Sequence, residues 1–128
     1  MSEPTSTELA IKLFGAFEAG DTEAARECCA DNFKGNQNGG PWADRDTLLK
    51  FSAAVKKAVP DFRYEEIARS ATETGFVEEH AVRGTLPDGS KLDLMLCVVA
   101  EVAVGKITVM REYMDSRVGA KLFAALGG

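Results

Sequence analysis

At Pro60 the apolar spacing of this chain switches from a helical period to a strand period, and any fold must use both halves. Before Pro60, Thr5 and Glu8 have the spacing of a capping box, predicting a helix that starts near Thr5. Ala10, Leu13, Phe14 and Phe17 form its apolar stripe, and Gly20 can end it in the left-handed conformation. Asp21 is placed to cap a short second helix, in which Ala24, Ala25, Cys28 and Cys29 form a face of small residues. Residues 32–40 are rich in Asn and Gly and read as an irregular loop, with a short strand at Phe33. Asp44 can cap a third helix whose buried stripe is Leu48, Phe51, Val55 and Val59, and Pro60 stops it.

Beyond Pro60 the pattern predicts strands over 62–72, 76–86, 91–103 and 106–114. Pro87-Asp88-Gly89 supplies one tight turn and Val104-Gly105 another. Asp115-Ser116 then opens a closing helix carrying Val118, Leu122, Phe123 and Leu126, so Asp115 reads as its cap. Helices, a four-stranded antiparallel meander and a terminal helix make an α+β arrangement, with no βαβ alternation. A chain of 128 residues is the size of a single domain, which predicts one unit over 1–128.

Charge and composition exclude several functions. The net charge of −5 comes with no Lys/Arg run longer than Lys56-Lys57, so no basic stripe exists for nucleic acid. Three cysteines without framework spacing, two of them adjacent, predict reduced, buried thiols. One histidine and no CxxC argue against zinc. Met1, Ser2, Glu3 and Pro4 lack a basic, apolar leader, and the apolar run from Leu94 to Ala100 is too short for a bilayer. The expectation is a cytoplasmic protein that contacts neither nucleic acid nor membrane.

The strand faces point to a pocket. Leu92, Leu94, Leu96 and Val98 form a uniformly apolar set, whereas both faces of the preceding strand are mixed. A sheet this apolar on both sides needs cover on the second one, which predicts a homodimer through the sheet. Polar residues among apolar strands also suggest ionisable groups turned into a cavity, where burial suits a carboxylate to proton transfer. Glu79 and Arg83 are assigned to the same face as Glu112, and His80, of opposite parity, to the dimer interface or solvent.

Ala19-Gly20-Asp21, Gly40-Pro41-Trp42, and Gly105-Lys106-Ile107-Thr108 leading into Arg111-Glu112-Tyr113-Met114-Asp115 resemble the nuclear transport factor 2-like superfamily. The SnoaL-like polyketide cyclase and limonene epoxide hydrolase branches are the nearest in pattern, over about residues 6–125. The resemblance implies a cone-shaped α+β barrel, a curved sheet wrapped over N-terminal helices around an apolar cavity. It also implies dimerisation through the sheet and cofactor-free acid–base chemistry on small hydrophobic molecules, though such folds also serve as plain binding modules. The Arg-x-Asp pair of epoxide hydrolase-like members falls here on Glu79 and Ala81, and only Glu112 retains a matching acid. Ketosteroid isomerase-like members need a tyrosine on helix one and a carboxylate after helix two, and this chain has neither.

The expected function is therefore a cofactor-free enzyme of the cyclase, isomerase or hydrolase type acting on a small hydrophobic molecule. The alternative is a non-catalytic ligand-binding or dimerisation module of the same fold. Glu112 is the expected base, with Glu79 and Arg83 as its polar partners and Trp42 at the cavity mouth. Phe17, Tyr64, Leu94, Leu96 and Met114 are the expected ligand contacts, and no metal ligands are expected.

Overall fold

The computed structural model of the protein describes residues 3–127; Met1 and Ser2, part of the N-terminal stretch read above, and Gly128 lie outside the described residues. Helix α1 spans Ser6–Ala19 and is held at its start by the reciprocal Thr5–Glu8 capping box. Its end is turned by Gly20 at φ 75°, a left-handed position that costs glycine little. Helix α2 (Thr22–Cys28) follows at once, capped by Asp21. Strand β1 (Cys29–Gln37), the two-residue strand β2 (Ala43–Asp44) and helix α3 (Arg45–Ala58) come next, and the Asp44 carboxylate caps α3 through the Thr47 amide. Strands β3 (Arg63–Ala71), β4 (Gly75–Thr85), β5 (Lys91–Ala103) and β6 (Lys106–Met114) precede helix α4 (Ser116–Ala125), which Asp115 caps.

The strands form one open sheet in the order β2-β1-β6-β5-β4-β3. The expected four-stranded meander is its β3–β6 part, and β1 is the departure. The stretch that reads as an irregular loop is a nine-residue strand lying parallel to β6, which makes the sheet mixed. Its Asn and Gly residues hide the alternation, yet Phe33, Gly35 and Gln37 share the inner face. Asn38, at φ 51°, ends the strand. Its side chain exchanges hydrogen bonds with the Met114 backbone, and its amide donates to the Glu112 carbonyl.

The helices pack against the concave face of the sheet, and Leu13, Phe14, Phe17, Phe76, Val98 and Ile107 are among the buried residues there. Gly75 lets β5 approach closely, since a Cβ built on it would lie 2.0 Å from the Ala100 carbonyl oxygen. Helix α1 is tied to β3 by the Glu18 carboxylate, which accepts from the Tyr64 amide. Cys28 and Cys29 are buried and unbridged, and desolvation pushes the Cys29 thiol up to about 12, as expected of inert structural thiols. No helix among the described residues is long and apolar enough to cross a membrane.

One irregularity decides which side chains reach the interior. Between Glu65 and Ala68 the pairing of β3 with β4 slips, with Glu66 at φ 54°. A β-bulge reverses the parity of everything after it. Tyr64, opposite Val82, and Arg69, opposite Glu78, therefore both face inward, although they sit five positions apart.

Candidate active site

The inner face of β4 carries Phe76, Glu78, His80 and Val82, all buried, while Glu79 is exposed on the opposite face. The β4–β5 register places Glu78 beside Val98 and His80 beside Leu96, within the uniformly apolar set of β5. Across β5, β6 continues the same rows with Glu112 beside Val98 and Met114 beside Leu96. Glu78, His80 and Glu112 thus share one face, with β5 separating the first two from the third.

Burying Glu78 and His80 completely, at 0% exposure each, demands partners, because an isolated carboxylate loses far more solvation than packing returns. Glu78 has both. Arg69 Nε donates to its Oε1 at 2.6 Å, and its Oε2 lies 2.5 Å from His80 Nδ1. Arg69, at 20% exposed, fixes the charge on Glu78, and an ionised Glu78 makes Nδ1 the donor atom. In the neutral ring the other nitrogen, Nε2, is then the acceptor, and it is buried with no hydrogen-bond partner among the described residues. Phe14 and Tyr64 clamp the imidazole at ring-centroid distances of 4.9 and 4.5 Å, so its orientation is set by packing as well as by Glu78.

His80 borders a cavity with two lobes. The inner lobe, about 70 Å³, lies under α1, α3 and α4 and is walled largely by aromatic and aliphatic side chains, with His80, Tyr64, Gln37, Ser52 and Glu112 as polar groups. The outer lobe, about 230 Å³, opens between β1, β2 and α3. Gln37, Leu48, Phe51, Met110 and Glu112 border both lobes and form the neck between them. Burial raises the Glu112 carboxyl above the ordinary range; a long 3.5 Å hydrogen bond from Gln37 Nε2 offsets this in part, as does His80 when it carries a charge. Desolvation holds the Tyr64 phenol well above its usual value, reinforced by Glu112, so it remains a donor. The site therefore unites a bare imidazole nitrogen with two protonatable donors in an apolar enclosure.

Glu112 has a consequence for stability. A carboxyl raised in the fold contributes its stabilisation below the unfolded-state value and loses it as pH climbs through the folded-state value. Glu112→Gln, which cannot ionise, is expected to raise Tm relative to the parent chain, with the gap widening from pH 4 to pH 8. Thermal melts across that range check it, and a gap that is constant or shrinks would contradict the burial of this carboxyl.

The structure separates the residues expected from sequence. Glu112 borders both lobes, and Phe17, Tyr64, Leu94, Leu96 and Met114 line the inner one. Glu79 and Arg83 do not join them. The inner parity of β4 belongs to the even-numbered residues, so Arg83 lies on the outer face, paired with Glu65, Glu66 and Asp93. Such solvent-facing ion pairs contribute little. Trp42 lines neither lobe; it is 50% exposed with the Lys34 ammonium 4.5 Å over its ring, while its neighbours Pro41 and Ala43 line the outer lobe. His80, assigned from sequence to the interface or solvent, is in the interior, and with Glu78 and Arg69 it is the part of the site that strand parity alone misses. Among the described residues, no three His, Cys, Asp or Glu side chains gather as a metal ion would require.

Comparison with known proteins agrees with this architecture. A candidate polyketide cyclase from Xanthomonas campestris pv. campestris superposes with a TM-score of 0.79 at 22% identity, over 91% of this chain and 96% of that one. An LEH-like epoxide hydrolase of M. tuberculosis is similar with a TM-score of 0.72 at 17% identity, over 95% and 92% of the two chains. An NTF2-like protein of unknown function from Cytophaga hutchinsonii gives 0.72 at 16% identity, over 91% and 95%. At these identities the likeness concerns the fold. No curated protein matches the chain significantly. The SnoaL-like domain family matches residues 10–110, and the chain belongs to that family.

Proposed function

We propose that the protein is a cofactor-free acid–base enzyme that moves a proton at a carbon next to a carbonyl group in a small hydrophobic molecule. The observation that carries this reading is His80: Nδ1 lies against a carboxylate, and Nε2, beside an apolar lobe, has no hydrogen-bond partner among the described residues. The general base passes in this reading from Glu112 to His80.

Nε2 takes the proton, leaving an imidazolium whose charge Glu78 compensates and an enolate whose oxygen needs a donor. Tyr64 and Glu112, both held toward their protonated forms, supply that donor. The imidazolium then returns the proton to the same or a neighbouring carbon, which completes an exchange or an isomerisation without any added group.

Proton NMR of benzylacetone in deuterated buffer tests the proposal. The purified protein is expected to exchange the hydrogens beside the ketone much faster than buffer does. Exchange no faster than in buffer for this and other small ketones would leave a binding module instead.

The homodimer is part of the same proposal. Met95 and Tyr113, 50% and 45% exposed, stand with Val99 and Cys97 on the outer face of the sheet, opposite the cavity. Light scattering is expected to give twice the chain mass, falling to one chain mass in Met95→Lys. A monomer at micromolar concentration would remove the dimer and leave the site unaffected.

A further inference from the structure

We infer that the substrate is an uncharged compound of one ring bearing a short carbonyl arm, with the ring in the outer lobe and the arm reaching through the neck to His80. The inference rests on the acid–base reading of the site, and three observations carry it beyond that reading.

The first is size. A dry apolar cavity of about 150 Å³ is enough to bind one benzene molecule. The inner lobe, about 70 Å³, is half of that, which favours a carbonyl on a few carbons over a ring against His80. The outer lobe, about 230 Å³, exceeds the benzene figure and takes one substituted ring. A four-ring skeleton has no slender arm to pass the neck.

The second is charge. No Lys or Arg is among the described residues lining either lobe, since Arg69 is spent on Glu78 and Arg83 lies outside. A carboxylate or phosphate on the ligand would be buried without a counter-ion, beside Glu112. The ligand therefore carries no negative charge. A cation is disfavoured in turn because Glu112 is the one carboxylate among the described residues lining either lobe, and burial favours its neutral form.

The third is the distribution of polar groups. The titratable groups His80 and Tyr64 border only the inner lobe, Glu112 and Gln37 stand at the neck, and the outer lobe's own polar residues, Asn36 and Thr47, carry no ionisable group. The reactive end of the ligand must therefore be the end that passes the neck, and the ring end meets the Pro41, Ala43 and Thr47 walls of the outer lobe.

Calorimetric titration of the full chain with four probes tests this. Benzylacetone, neutral with one ring, is expected to bind at least tenfold more tightly than hydrocinnamate, phenethylammonium or progesterone, which add a negative charge, a positive charge and a four-ring skeleton respectively. Thr47→Trp fills the outer lobe from an exposed position and is expected to weaken benzylacetone at least tenfold. Ala43→Leu, narrowing the same lobe from β2, should act in the same direction. Equal or tighter binding of any of the other three probes, no binding of benzylacetone, or unchanged affinity in both variants would overturn the inference. Because binding is read without turnover, benzylacetone that binds selectively but does not exchange its hydrogens counts against the acid–base reading alone. Exchange accompanied by indiscriminate binding counts against the substrate class alone.

Discussion

Arg69→Met is expected to lower the free energy of unfolding by about 3 kcal/mol, the low end of the cost of orphaning one member of a buried ion pair. The carboxylate it leaves behind, Glu78, has no exposed surface, and its second oxygen is already committed to His80. Water can reach the Arg69 position in part, because that side chain keeps 20% of its surface, and this places the figure at the lower end. The loss should shrink when the charge is removed as well. Arg69→Met combined with Glu78→Gln is expected to be less destabilised than the sum of the two single changes. Urea unfolding of the four chains measures the cycle. A loss below about 0.5 kcal/mol for Arg69→Met would place this pair with ordinary surface ion pairs.

The second large effect is on chemistry. His80→Gln is expected to slow ketone hydrogen exchange by about 10²- to 10⁴-fold, the usual contribution of a positioned general base. Glutamine keeps a side-chain amide able to donate to Glu78 but has no nitrogen that can take a proton. The loss should therefore fall on kcat, with the affinity for benzylacetone changing much less. Exchange kinetics and calorimetry on the same preparation separate the two effects. A variant with undiminished kcat would remove His80 from the mechanism.

Much of the architecture was legible before any coordinates. Thr5, Asp21, Asp44 and Asp115 each cap the helix that follows them, because a short polar side chain beside an apolar 3.6-residue pattern has few other uses. The meander from β3 to β6 follows from period-two runs separated by Pro87-Asp88-Gly89 and Val104-Gly105. Strand β1 was not legible, since Asn32, Gly35, Asn36 and Asn38 are turn-forming residues and its parallel partner lies over seventy residues away. Long-range pairing overrides local preference there.

The site was half legible. Glu112 and the apolar walls could be read from their spacing, but β4 gives two equally mixed faces, so its inward set is not marked by hydrophobicity. One signal was available. The Leu92, Leu94, Leu96 and Val98 set is unmistakably inward, and a hairpin closed through Leu86 and Ser90 pairs even-numbered residues of β4 with these even-numbered residues of β5. That register assigns Glu78 and His80 to the interior and Glu79 and Arg83 to the outside. Arg69 had no such signal, because its inward direction depends on a bulge at a glutamate with positive φ.

The account turns on the protonation of one imidazole, and His80 is the only histidine in the chain, so its nitrogen-15 NMR signals need no assignment. In the neutral form of the ring the spectrum is predicted to show a protonated Nδ1 and a bare Nε2. A proton on Nε2 would contradict the account, because the atom facing the lobe could not then act as a base.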